Sequence, residues 1–204
     1  MKIIGLTGGI ASGKNFVAEI FQKMGAVVFD ADAEIHNLLA YNQTIILQVK
    51  NLFPEVIVDR KVDRKILGKI VFSDDEKLKA LELILHPPLR DIYDKFLRDA
   101  KNSGKEFVVL NIPLLLETKA YKCDYIIAII PSEAVQFSRF VDREKEKHPQ
   151  MTAEELAKKF KSVTGKQLTS DERKKHANFI ITNNGTRAET LQEIQSVIDA
   201  IARQ

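Results

Sequence analysis

A chain of 204 residues is long enough for one domain with a sizeable core and room for insertions. With 45% hydrophobic and 29% charged residues it is not a disordered segment, and a net charge of +3 is too small for a dedicated nucleic-acid binder. No apolar run approaches the ~20 residues that a membrane span requires.

Residues 2–7 are short, β-branched and end in glycines, which predicts a buried strand feeding a tight turn. The turn belongs to "GLTGGIASGKNF", Gly5 to Phe16. Gly8, Gly9, Ala11, Ser12, Gly13 and Lys14 have the spacing of a phosphate-binding loop, in which backbone N–H groups cradle phosphate oxygens at the positive end of the next helix. Lys14 would reach the terminal phosphates of a nucleotide. Asn15 stands where a Ser or Thr hydroxyl normally holds magnesium, and Phe16, Val17, Ile20, Phe21 and Met24 then recur at helical spacing up to Gly25. A second strand is predicted over 26–29, ending at Asp30-Ala31-Asp32. Either carboxylate can cap the following helix. Asp30 can also join a metal's water shell, and Asp32 can orient a substrate hydroxyl.

About seventy-five residues separate this strand from the next, too many for a simple crossover. Leu78, Leu81, Leu85, Ile92, Tyr93, Phe96 and Leu97 make them helical, an insertion over about 31–100. Strands are predicted at 107–110, 125–130 and 179–182. Cys123 beside them reads as a buried, inert thiol; as the sole cysteine it suits a reducing compartment. A further insertion over about 139–175 holds eleven Lys/Arg against seven Asp/Glu. Its lysines and Arg173 read as a mostly solvated surface. Arg139 and Arg143, four apart, share a helical face and serve either a reacting phosphate or paired surface carboxylates. His86 reads on physical grounds as packed or capping, and scattered histidines give no metal site. The last helix begins with a capping box at Thr186 and carries Leu191, Ile194, Ile198 and Ile201 on one face. Together these elements imply an α/β domain with a doubly wound, parallel, five-stranded sheet. The early glycines and Lys14 exclude a signal peptide's apolar core, so a cytoplasmic location is expected.

The chain resembles the dephospho-CoA kinases. The likeness rests on "GLTGGIASGK" followed by "DAD", on "LHP" at Leu85-His86-Pro87, and on "IPLLLE" from Ile112 to Glu117. Arg139, Arg143, Gln167 and "NNG" at Asn183 to Gly185 continue it in family order along nearly the whole chain. The resemblance implies a P-loop kinase fold with a helical region for the coenzyme A substrate and a lid over 139–175. It implies transfer of phosphate from magnesium-ATP to the ribose 3′-hydroxyl of dephospho-CoA; no obligatory protein partner is evident in the sequence. Asp32, Lys14 and Arg139 become the catalytic residues, with Asp32, His86 and Glu117 toward the substrate. The loop from Gly8 through Phe16, with Arg143, Asn183 and Gly185, falls to ATP, and Asn15 to the metal. An ordinary strand–helix turn remains an alternative for Asn183 to Gly185. The chain departs from the family at Ala11, Asn15, Phe16, Asn111 and Asn178, which carry Gly, Ser/Thr, Thr, Asp and Asp in many members. Two other readings stay open: another small-molecule kinase of nucleoside or nucleotide type, and a nucleotide-binding regulator with a weakened metal site. A GTPase is disfavoured by the lack of an Asn-Lys-x-Asp motif.

Overall fold

The computed structural model describes residues 1–118 and 120–203. In chain order, β1 (Lys2–Gly8), α1 (Lys14–Lys23) and β2 (Val27–Asp30) are followed by α2 (Ala31–Tyr41) and α3 (Gln43–Leu52). A 3₁₀ turn at Pro54–Val56 leads to the short strands β3 (Ile57–Val58) and β4 (Lys61–Val62), then α4 (Arg64–Val71) and the 28-residue α5 (Asp75–Asn102). The remainder is β5 (Phe107–Asn111), α6 (Leu115–Thr118), β6 (Tyr125–Ile129), α7 (Glu133–Lys147), α8 (Ala153–Thr164), α9 (Ser170–His176), β7 (Phe179–Ile181) and α10 (Arg187–Ala202). The chain divides into two compact units, one of residues 1–29 and 103–204, the other of residues 30–102.

The five-stranded sheet has the order β2-β5-β1-β6-β7, and β1 pairs in parallel with β5 on one side and β6 on the other. Strand period decides which face each residue covers. Ile4 and Leu6 of β1 join Val109, Ile127, Ile129 and Ile181 under Val17, Phe21 and Ile194 from α1 and α10. On the opposite face Gly5 is a requirement of space: a Cβ there would stand 2.5 Å from Leu115 Cδ2 and 2.7 Å from Cys123 Sγ. Continuous apolar strands covered on both faces account for the absence of alternation in the sequence.

The sequence misplaces the stripe of α10. Leu191 is exposed, and the buried positions are Thr190, Ile194, Val197 and Ile201. Thr190 can be buried because its hydroxyl donates to Asn183 Oδ1 (3.1 Å), which leaves no polar atom wasted.

In the unit of residues 30–102, α2, α3 and α5 pack on one another, with α4 against α5. Leu81, Leu85, Leu89 and Tyr93 supply the buried stripe of α5, which runs unbroken through Pro87 and Pro88. The prolines each remove one helical hydrogen bond, and that stripe of buried side chains offsets the loss. The antiparallel hairpin of β3 and β4 was not expected. Asp59 (φ 48°) and Arg60 (φ 64°) both take left-handed conformations, as a two-residue hairpin turn demands, without the Asn-Gly signal that usually announces one. No helix among the described residues is long and apolar enough to cross a membrane.

Among the described residues, three helices start with complete capping boxes: Thr152 with Glu155, Thr169 with Glu172, and Thr186 with Glu189. In each, the threonine N–H and then its hydroxyl hold the glutamate carboxyl below its ordinary value of 4.5. A carboxylate depressed in the folded state stabilises it above the ordinary value and loses that effect as pH falls through the lowered one. Melting temperatures should therefore decline below about pH 4.5, and a triple Glu→Gln variant at 155, 172 and 189 should show a flatter acid limb. Parallel curves for the two proteins from pH 7 to pH 3 would remove these boxes from the acid response.

Candidate active site

The loop between β1 and α1 emerges where β1's neighbours lie on opposite sides, the position at which open parallel sheets take ligands. Its shape is enforced from several directions. Gly13 has φ +88°, and a Cβ there would collide with the Asn183 side chain. Ala11 sits at φ 56°, a conformation that suits glycine and costs an alanine about 1 kcal/mol. Ala11 and Ile10 pack, however, against a cluster of Phe140, Leu156 and Phe160 from α7 and α8, which offsets the strain. Both polar groups of the Ile10 peptide are held by side chains: the N–H donates to Gln167 Oε1 (2.9 Å), and the C=O accepts from Gln136 Nε2 (2.6 Å). Gly9, Gln136, Phe160, Gln167 and Arg173 line a cavity of about 420 Å³ beside it.

Asn183 braces the loop from beneath. It is 3% exposed, with Nδ2 donating to the Ser12 carbonyl (2.8 Å) and Oδ1 accepting from Thr190. Its side chain is thus committed within the protein. Gly185 lies in the turn that follows, against the Glu189 carboxylate of the last capping box. The Asn183 carbonyl accepts from Arg139 Nη2 (2.9 Å), which points the guanidinium toward Gly13. Arg139 Nη1 and the Ser12 hydroxyl are buried without a hydrogen-bond partner, two polar atoms at one loop that an anion with bound water would satisfy. Arg143 points elsewhere: it is exposed, 3.8 Å from Glu144 and over the Phe140 ring. Glu144 is itself buried and held by Lys159, whose hydrogen bond keeps its carboxyl below the usual range.

Lys14 is the first residue of α1 and half-buried rather than part of a solvent-facing loop. Its Nζ donates to Asn111 Oδ1 (2.9 Å), and Asn111 Nδ2 donates to Asn15 Oδ1 (3.1 Å). Phe16 follows, half-buried, with Arg187 over its ring. In the other unit, Asp30 is the N-cap of α2, accepting from the Ala33 N–H (3.0 Å). Asp32 is exposed in the first turn of the same helix, so capping falls to its neighbour. His86 is exposed on α5, not packed.

Arg173 corrects the reading of a solvated basic surface. It is 2% exposed, donates to Thr7 Oγ1 (2.5 Å) and pairs with Glu117 (3.0 Å). Glu117 Oε1 also accepts from the Leu168 N–H, whereas Oε2 is buried and unpartnered. No local pattern marks an arginine for burial, because its partner lies 56 positions away. Gln136 was missed for the same reason.

A profile of the dephospho-CoA kinase family matches residues 2–189. A dephospho-CoA kinase from Bartonella quintana is 37% identical over 204 residues, all of both chains. Among solved structures, TT1252 from Thermus thermophilus is 30% identical with a TM-score of 0.78, covering 98% of this chain and 96% of its own. The dephospho-CoA kinase from Campylobacter jejuni is 29% identical with a TM-score of 0.66, covering 98% and 97%. With a profile match over nearly its full length and a relative this similar end to end, the chain belongs to the dephospho-CoA kinase family.

Proposed function

We infer that the chain catalyses ATP-dependent phosphorylation of dephospho-CoA at the ribose 3′-hydroxyl, giving coenzyme A and ADP, the last step of coenzyme A biosynthesis. The observation that carries this reading is the full-length family match joined to a braced phosphate-binding loop with Lys14 at its helix start. The loop's N–H groups bind the phosphates, and Lys14 balances charge on the terminal pair. Arg139, held by the Asn183 carbonyl with Nη1 uncommitted, stabilises charge spreading on the transferred group. Asp32 accepts the hydrogen bond of the 3′-hydroxyl and aligns it for in-line attack; a loose phosphoryl transition state asks little early proton removal of it. His86 and Glu117 contact the dephospho-CoA, and Gly185 the nucleotide; Arg143, turned to Glu144 and the Phe140 ring, is left out of the site. Residues 31–100 form the substrate region, and 139–175 the lid.

Asn15 would ligate a magnesium ion carried by ATP, since a carboxamide oxygen is a hard donor. Such an ion would supply charge neutralisation at the phosphates of ATP. Among the described residues no cluster of three or more His, Cys, Asp or Glu could hold a metal, so ATP oxygens and water would complete its shell. A cytoplasmic setting fits Cys123, whose burial pushes its thiol up to about 11 and keeps it protonated at neutral pH.

A coupled ADP-release assay tests the whole reading. ADP should form with magnesium-ATP and dephospho-CoA together, and barely without the acceptor. Faster turnover of a nucleoside or nucleotide would make the chain a different kinase. Tight ATP binding with no turnover of any acceptor would make it a regulator.

A further inference from the structure

Lys14, Asn111 and Asn15 form a chain of hydrogen bonds with a fixed direction. An ammonium group only donates, so the Asn111 atom 2.9 Å from Lys14 Nζ must be its carbonyl oxygen. That assignment turns Asn111 Nδ2 toward Asn15, whose facing atom 3.1 Å away must then be the acceptor Oδ1. Asn111 is 3% exposed at the end of β5, where little room exists for an alternative arrangement, whereas Asn15 is exposed. The one oxygen that position 15 can offer a cation is therefore already accepting a proton from a neutral amide. Position 111 also adds no negative charge of its own to the ground beside Lys14.

We propose that Asn111 is a positioning residue which, through the Lys14–Asn111–Asn15 chain, tunes the site to bind the phosphates of ATP with little dependence on magnesium. This rests on the reading of the loop as an ATP site. Two effects act in the same direction. With a neutral side chain at 111, metal-free ATP meets one negative charge fewer than it would with Asp there, and it gains more from this than the less charged magnesium complex. In addition, the Asn15 oxygen turned toward Asn111 places an N–H donor beside any cation it ligates, which weakens its hold.

A carboxylate at position 111 reverses both effects. It has no proton to donate, so Asn15 must rotate its amide to present Nδ2 to the carboxylate, which turns Oδ1 outward. A threonine at position 15 behaves in parallel. Beside Asn111 its hydroxyl oxygen is occupied as an acceptor; beside a carboxylate it donates, and its lone pairs face outward. The two positions are thus coupled, and neighbours in one hydrogen-bond chain give non-additive effects.

Calorimetric titration of ATP, with excess magnesium and with EDTA, reads this without turnover. For the natural sequence the two Kd values should agree within about threefold. Asn111→Asp should widen their ratio about tenfold or more, chiefly by weakening metal-free ATP. Asn15→Thr alone should change the ratio less than about twofold, yet in the Asn111→Asp background it should widen it severalfold further. Equal effects of Asn15→Thr in both backgrounds, or a natural ratio already beyond about tenfold, overturn the proposal. Loss of ATP binding under both conditions overturns the nucleotide-site reading along with it, whereas binding with additive effects overturns the pairing alone. Should Asn111→Asp fail to fold, side-chain amide NMR decides: Asn15→Ala must shift the Asn111 Nδ2 protons, and unchanged resonances reject the pairing.

Discussion

Replacing Lys14 with Met should lower kcat by about 10²–10³-fold while the protein stays folded. Methionine preserves the aliphatic length and suits the first turn of α1 about as well as lysine. What disappears is the ammonium that would follow charge onto the terminal phosphates, together with the hydrogen bond to Asn111. Loss of one such bond to a charged group costs about 1.5–3 kcal/mol of stability, less than a domain's total of about 5–15 kcal/mol. Melting and steady-state kinetics on the same preparation separate the two effects. A folded variant that keeps more than about a tenth of kcat, a deficit below about 1.4 kcal/mol, would show that Lys14 binds but does not stabilise the reacting charge.

Asp32→Asn should lower kcat by about 10²-fold or more and leave the KM for ATP nearly unchanged. The structure makes this substitution informative because the neighbouring roles are divided. Asp30 caps α2 through the Ala33 N–H, so the cap survives removal of the charge at 32, and the helix loses a first-turn dipole interaction of about 0.3–1 kcal/mol. Asp30→Ala is the control, expected to cost about 0.5–2 kcal/mol of stability. If Asp32→Asn turns over at a near-normal rate, or destabilises as the Asp30 variant does, Asp32 belongs to the helix start and not to the chemistry.

The features that could be read from sequence are those written in neighbouring residues. The loop from Gly8 to Lys14 and the Thr186 capping box state their geometry within a few positions, and the buried strands announce themselves as apolar runs. Three features lacked such a signal. The hairpin of β3 and β4 has two-residue strands and an Asp59-Arg60 turn without glycine or asparagine. Leu191 was counted into the core of α10 on hydrophobicity, whereas Thr190 earns its place through hydrogen bonds to residues that a periodicity cannot see. Arg173, Gln136 and Asn183 depend on partners 56, 126 and 171 positions away, and only folding brings those together. The direction of the Lys14–Asn111–Asn15 chain is of the same kind: the sequence shows two unusual asparagines, but not that they touch.

The two glutamines that grip the Ile10 peptide have a thermodynamic consequence. A glycine-rich loop left to itself would sample many shapes and would surrender that freedom each time a nucleotide arrived, at about 1–2 kcal/mol for every residue fixed. Here much of the ordering is completed during folding, by side chains from α7 and from the turn before α9. Nucleotide affinity therefore depends on helices well outside the loop's own sequence. Partial melting of α7 to α9 would release the phosphate cradle while the central strands remained paired, so catalytic competence should fade on warming before the sheet unfolds.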